Sequence, residues 1–300
     1  MPALERPKVS IVIPTYDRVA YLLHAIQSVI GQTYVNWELL VLDDGSTDGT
    51  RSAVTAVRDA RITVIAGNHC GNPAALRNRG LQLARGAYVA FLDSDDMWEA
   101  PKIERQLAVM ASTGCGWSYT AFDMIDEAGR PTPRVAGVPW RPYSGLIIAP
   151  LLTTEAAVAI SSLVVERALA VEVGAFDESE RILFREDYDF CLRLALKAPT
   201  VAVPDALCHV RHHPGRSTSV RSDLHERSAD VYRKVESMLP SATLRKVCRH
   251  RCAVHLVAEA NARRAAGERR AALLQLRQAF RYRPLYARWW LVLTRLALRI

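Results

Sequence analysis

Asp93-Ser94-Asp95-Asp96 places three carboxylates within four residues, directly after the apolar run Tyr88-Val89-Ala90-Phe91-Leu92. Like charges this close raise one another's pKa and repel, so the cluster is a poor structural element. A divalent cation reverses that penalty, and cradling one is the chemistry the spacing suggests. Two earlier apolar runs also end on polar residues. Val9-Ser10-Ile11-Val12-Ile13 leads into Pro14-Thr15-Tyr16, and Glu38-Leu39-Leu40-Val41-Leu42 leads into Asp43-Asp44-Gly45-Ser46. A metal on an Asp-x-Asp, a second carboxylate pair and a Thr-Tyr pair suit a nucleoside diphosphate. The metal bridges the two phosphates, an aspartate accepts from base or ribose, and an aromatic ring covers the base.

The elements that must position these groups follow from the pattern. Near-continuous apolar strands read as a parallel sheet covered on both faces, and such sheets bind ligands beyond the carboxyl ends of their strands. A helix is expected over Ala20–Ile30, with Leu22, Leu23, Ile26, Val29 and Ile30 on one face, and another after Asp48-Gly49-Thr50 through Val54 and Val57. Ile62–Ala66 reads as a strand, and Asn72-Pro73 as the cap and first turn of a helix running to Gly86. The result is a βαβαβαβ run, hence a doubly wound α/β domain. From Gly114 to Gly145 the pattern breaks up into a proline-rich, irregular excursion suited to a substrate loop. Val158–Val165 reads as a strand, Asp187–Lys197 as an amphipathic helix and Val201–Val203 as a short strand. Everything beyond residue 220 reads as helix, which sets the expected domain boundary.

Composition narrows the class. Of 300 residues, 50% are hydrophobic and 23% charged, ordinary for a folded globular chain and against disorder. Residues 1–220 carry 21 Lys/Arg against 25 Asp/Glu, whereas residues 221–300 carry 18 against 6. That asymmetry suggests an acidic, metal-using body and a basic tail that meets phosphates. The six cysteines have no framework spacing and read as free thiols in a reducing cytosol; a metal knot of Cys248, Cys252, His250 and His255 lacks a matching second pair. Neither an apolar signal region nor an uncharged apolar stretch of about 18 residues is evident, so neither secretion nor a membrane span is expected.

Four ordered blocks resemble the family 2 glycosyltransferases, inverting enzymes of the GT-A fold. They are Val9–Arg18 (VSIVIPTYDR), Trp37–Thr50 (WELLVLDDGSTDGT), Arg77–Gly80 (RNRG) and Tyr88–Trp98 (YVAFLDSDDMW). The likeness continues through Val173–Asp177 and Glu186–Phe190 and fades near Ser219. It implies a GT-A catalytic domain over 1–220, with a nucleotide-sugar half to about 110 and an acceptor half beyond it, and a basic helical region over 221–300. It further implies that Pro14, Thr15, Tyr16 and Arg18 line the nucleotide pocket, that Asp44 contacts the base and that Arg77 lies near the diphosphate. Asp93 would approach the ribose or metal, with Ser94 in the same pocket, and Asp95 would bind a divalent metal, Mg or Mn. Asp187 would be the general base that an inverting displacement requires. Outside the family pattern, Asp187 is a carboxylate interacting with a helix macrodipole.

Arg211–Ser217 resembles the family's late Arg-x-His-x-x-Ser block with an extra Arg216 before the serine. His213 would then be a further metal or diphosphate ligand; the alternative is a surface-loop histidine. The resemblance implies sugar transfer from a nucleotide-sugar donor to a glycan or lipid-linked acceptor for cell-surface polysaccharide, at the cytoplasmic face of a membrane. A nucleotidyltransferase would need a glycine-rich basic loop after the first strand, and a dinucleotide oxidoreductase a G-x-G-x-x-G; neither is present. A non-catalytic nucleotide-sugar-binding or scaffold protein remains the rival from another class. In the tail, residues 285–300 combine Trp289 and Trp290 with Arg288, Arg295 and Arg299. They read either as a helix packed on the body or as an interfacial helix on anionic lipid. No nucleic-acid motif accompanies the charge, so no nucleic-acid partner is expected.

Overall fold

Parallel pairing of the first four strands sets the frame. The computed structural model describes residues 9–133, 142–215, 223–284 and 286–298. In chain order the first elements are β1 (Val9–Thr15), α1 (Val19–Ile30), β2 (Trp37–Asp43), α2 (Thr50–Ala56), β3 (Ile62–Ala66), α3 (Pro73–Leu83) and β4 (Tyr88–Phe91). Next come β5 (Met97–Trp98), α4 (Lys102–Thr113), β6 (Trp117–Ile125), β7 (Pro131–Thr132), α5 (Ile148–Thr153), β8 (Leu163–Glu166), α6 (Arg167–Glu172), α7 (Glu186–Lys197) and β9 (Val201–Arg211). Four helices close the chain: α8 (Leu224–Glu236), α9 (Ala242–Ala265), α10 (Arg269–Tyr282) and α11 (Ala287–Leu298).

The sheet runs β3-β2-β1-β4-β8-β6-β9-β5, with β7 hydrogen-bonded to β6. The β3-β2-β1-β4 half is parallel, as the βαβ crossovers require, while β8 pairs antiparallel with both β4 and β6. On one face, Val9, Ile11, Ile13, Leu39 and Val41 share a core with Leu22, Ile26 and Val29 of α1 and Ile103, Leu107 and Met110 of α4. On the other face α3 lies so close that a Cβ on Gly80 would stand 2.4 Å from Val12 Cγ1, which explains the glycine of the Arg77–Gly80 block. Alternation of strand side chains thus covers the sheet on both faces.

The caps agree with the reading: Asn72 Oδ1 accepts from the N–H groups of Ala74 and Ala75 at the start of α3, with Pro73 in the first turn. Three expectations differ. The stretch read as irregular from Gly114 to Gly145 contains β6, nine residues long and central in the sheet. Val158–Val165 is a 3-10 turn at Ile160–Ser162 followed by the shorter β8. The expected Val201–Val203 strand extends to Arg211, with a register shift against β6 between Thr120 and Phe122.

By contact density the chain divides into two units, 1–178 with 193–213 and 179–192 with 214–300. The first contains the whole sheet. In the second, α9 packs between α8 and α10, and α11 packs on α9 and α10. Its buried Cys248 and Cys252 donate to the carbonyls of Tyr232 and Ala229, and burial pushes both thiols up to about 12. All six cysteines are free, and among the described residues these two belong to no cluster of three or more metal-ligating groups.

Candidate active site

The chemistry-bearing loops lie just beyond the carboxyl ends of β1, β2, β3 and β4. Thr15 ends β1, and Asp17 follows with a φ of 45°. The Asp17 carboxylate accepts from Thr47 N at 2.7 Å, and its own N–H donates to Ser46 Oγ. Asp48 in turn accepts from Val19 N at 2.8 Å and Thr50 Oγ1 at 2.6 Å. These bonds tie the first loop to the second and fix where Tyr16 and Arg18 stand. Pro14 and Thr15 are buried, and the Thr15 hydroxyl has no hydrogen-bond partner among the described residues.

Tyr16 is exposed and stacks on His69, ring centroids 4.0 Å apart. Beneath them the buried Asp44 carboxylate accepts from Cys70 N at 2.8 Å and Gly71 N at 2.9 Å, with His69 Nδ1 at 2.9 Å. Gly45, at φ 80°, lets the chain turn there; a Cβ would meet His69 N at 2.9 Å. The segment 69–71 was missed by sequence reasoning. Its signal was present in the Gly67-to-Gly71 loop that leaves β3 on the same sheet edge.

At the end of β4, Asp93, Asp95 and Asp96 have carboxylate oxygens within 4.8 Å of one another. Their environments separate them. Asp96 is fully engaged: Oδ2 accepts from Ser161 Oγ at 2.6 Å and Oδ1 from Arg211 N at 2.9 Å. Burial, reinforced by Asp95 and Asp93, pushes its carboxyl well above the usual carboxylate range. Asp96 is therefore a brace that joins β4 to β9 and to the turn before β8. Asp95 Oδ2 receives Arg18 Nη1 at 2.7 Å and His213 Nε2 at 3.0 Å. Asp93 Oδ1 receives Arg77 Nη2 at 2.7 Å. Ser94 is buried between them.

His213 is buried, and its ring lies 4.8 Å from that of Tyr21. Arg211, also buried, donates to the carbonyls of Asp95, Asp126 and Glu127 and so holds the turn that carries the acidic cluster. Neither Tyr21 nor the bracing role of Arg211 was visible in the spacing. Arg216, Ser217, Arg299 and the side chain of Trp289 lie outside the described residues. The donor set fits a hard divalent cation. Two carboxylates that are not both committed to the fold stand beside one imidazole, and Arg18 and Arg77 balance the charge.

Asp187 belongs to the second unit, at the start of α7, where its Oδ1 accepts from Tyr188 N at 2.7 Å. Contacts from α8 hold this segment. The hydroxyls of Tyr188 and Tyr232 are 3.1 Å apart, and Lys234 Nζ stands 2.9 Å from Asp189 Oδ2. Arg227 donates to the carbonyls of Glu180 and Leu183.

Residues 10–169, more than half the chain, match the family model for glycosyl transferase family 2. The chain belongs to this family. As a family 2 glycosyltransferase it is 41% identical over 119 residues to WfgD of Escherichia coli, a UDP-Glc:alpha-D-GlcNAc-diphosphoundecaprenol beta-1,3-glucosyltransferase, covering 40% of this chain and 47% of WfgD. It is 37% identical over 136 residues to TuaG of Bacillus subtilis, named for teichuronic acid biosynthesis, covering 45% of this chain and 54% of TuaG. The chain thus spans about half the length of these relatives. Among solved structures, S. aureus TarS 1-349 in complex with UDP-GlcNAc superimposes with a TM-score of 0.67 at 19% identity, over 85% of this chain and 81% of TarS. The mannosyltransferase PcManGT from Pyrobaculum calidifontis, in complex with GDP-Man and Mn2+, gives 0.63 at 19% over 99% and 82%. At such identity these two structures show the shared GT-A fold.

Proposed function

We propose that this family 2 glycosyltransferase moves a sugar, with inversion, from a nucleotide-sugar donor to a glycan or lipid-linked acceptor in cell-surface polysaccharide assembly. The observation that carries the reading is the Asp93–Asp95 pair at the end of β4, bracketed by Arg18, Arg77 and His213 on the sheet edge that also presents Tyr16 and Asp44. Tyr16 covers the base and Asp44 accepts from it, the segment 69–71 yielding its contacts to the donor. Asp93 and Asp95, with His213, would hold a divalent cation, Mg or Mn, which when bound would supply charge neutralisation to the departing diphosphate. Arg77 and Arg18 add cationic hydrogen bonds to the same phosphates as they leave. Pro14, Thr15 and Ser94 shape the floor of the pocket.

Asp187 accepts the proton of the attacking acceptor hydroxyl. As the new bond forms at the anomeric carbon, the bond to the diphosphate breaks on the opposite face, so one displacement inverts the centre. The catalytic domain is assigned to 1–220, with its nucleotide-sugar half to about residue 110, and the basic helical region to 221–300. The site works at the cytoplasmic face of a membrane, with peripheral contact through 285–300. No helix among the described residues is long and apolar enough to cross a membrane. The name of WfgD supports a lipid-linked acceptor, and that of TuaG the polysaccharide context. The test is a panel of nucleotide-sugar donors incubated with Mg or Mn. Release of nucleoside diphosphate from at least one donor, absent in chelator, is expected. Nucleotide binding without turnover of any donor would favour the scaffold reading instead.

A further inference from the structure

The basic residues of the last helices are concentrated beyond the acidic ones. Each of the six acidic residues from 223 to 268 forms an ion pair with an arginine of the same stretch. Asp223 pairs with Arg227, Asp230 with Arg233 and Glu236 with Arg249, while Glu226, Glu259 and Glu268 share Arg263. Residues 269–300 then contain eight arginines and no Asp, Glu or Lys.

Their arrangement on α10 is ordered. The helix buries Ala272, Gln275, Leu276 and Ala279. On its exposed side Arg270, Arg277 and Arg281 alternate with Leu273, Leu274 and Phe280. At 3.6 residues per turn these six fall within an arc of about 120°. Leu274 is 61% exposed. α11 repeats the mixture: Val292 is buried, while Trp290 and Leu291 are exposed beside Arg288 and Arg295.

We propose that the exposed face of α10, extended by Trp290 and Leu291 of α11, docks on an anionic phospholipid bilayer, the arginines on lipid phosphates and the apolar side chains below them. The proposal deepens the reading of a lipid-linked acceptor, on which its biological sense rests, and moves the contact from 285–300 alone to α10. Guanidinium groups match phosphate oxygens in two-point geometry. The exposed apolar surface of leucine, phenylalanine and tryptophan gains by leaving water, which a bilayer interface offers and a nucleic-acid backbone does not. Charge alone would suit any polyanion; the interleaved apolar residues select the membrane.

The experiment is cosedimentation of the full chain with vesicles of phosphatidylcholine, alone or mixed with phosphatidylglycerol. Binding is expected only to the anionic vesicles and is weakened at about 0.5 M salt. Replacing three arginines together, Arg270→Ser, Arg277→Ser and Arg281→Ser, is expected to lower the partition coefficient about a hundredfold. Leu274→Ser with Trp290→Ser is expected to lower it about tenfold. Circular dichroism and a melting curve verify that each variant is folded. A folded triple-arginine variant that sediments like the wild type overturns the proposal. So does wild-type binding that ignores salt, a readout that needs no variant. If the apolar pair variant binds vesicles unchanged, the face is a general polyanion site and the membrane assignment fails. UDP binding in all variants is the control: because no acceptor is used, failure here leaves the proposed transfer reaction intact.

Discussion

The sheet unit and the helical unit position their proposed site residues in opposite ways. At the sheet edge, most of the proposed site residues follow a strand by a few residues, and neighbouring loops bind one another, as Asp17 does to Thr47 and Asp48 to Val19. Parallel topology delivers the groups to one edge, so the strands themselves do the placing. Asp187 instead opens a helix whose first turn is held by residues far along the chain. Tyr188 meets Tyr232 44 residues later, and Asp189 meets Lys234 45 residues later. The comparison teaches that a strand-end site is encoded locally, whereas a helix-start site depends on a clamp supplied by another element.

The largest expected effect sharpens the role given to that clamped segment. Asp187→Asn is expected to keep donor affinity and lose turnover by at least about a hundredfold, read as kcat against the donor dissociation constant. Loss of donor binding with retained turnover would put Asp187 in the pocket and erase the contrast. In the sheet unit, Arg77→Met is expected to weaken nucleoside diphosphate binding about tenfold by calorimetry, because a charge-assisted bond is lost and Asp93 is left without its 2.7 Å partner. The clamp itself is tested by Lys234→Met. Turnover is expected to fall about tenfold at unchanged donor affinity, and Lys234→Arg to restore most of it; equal losses in both would make the contact merely structural.

The smallest effect concerns a buried group behind the sheet edge. Lys102 donates to Gln106 Oε1 at 2.8 Å and lies 4.1 Å from the Trp98 ring, and burial holds its ammonium down to about 7 from the ordinary 10.5. Between these values the unfolded chain binds the extra proton, so wild-type stability is expected to rise with pH from about 7 toward 10.5. The slope is at most about 1.4 kcal/mol per unit. Lys102→Met is expected to lack that rise. Urea denaturation at about pH 7 and pH 9 measures both; parallel curves would contradict the assignment.

Legibility in the sequence followed the same division. The βαβ run, the Asn72 cap and the acidic cluster were readable because apolar runs, turn residues and strand-end polar groups repeat in register. β6 was not, because Trp117-Ser118-Tyr119-Thr120 alternates aromatics with hydroxyls that look solvent-facing. Both hydroxyl residues are buried, with Ser118 Oγ accepting from Gln106 and Thr120 Oγ1 donating to a carbonyl. β9 reads as three residues in the sequence, and Pro204-Asp205 interrupts its apolar pattern, yet the register shift against β6 carries the strand past them. Asp96 has no role that the spacing assigns; only the tertiary partners Ser161 and Arg211 reveal a brace. The ties to Asp187 depend on α8 and leave no local mark.

The central claim is that Asp95 holds the divalent cation through which this chain binds a nucleoside diphosphate. Titration of UDP and GDP into wild type and Asp95→Ala, each with Mn and with chelator, tests it most directly. Asp95 lies outside the apolar core but pairs with Arg18 and His213, so a melting curve is taken first, and the variant is expected to melt as a folded protein at a lowered temperature. The wild type is expected to bind at least one nucleotide more tightly with Mn, and the variant to show no metal dependence. A folded Asp95→Ala protein that binds with the wild type's metal dependence would contradict the account.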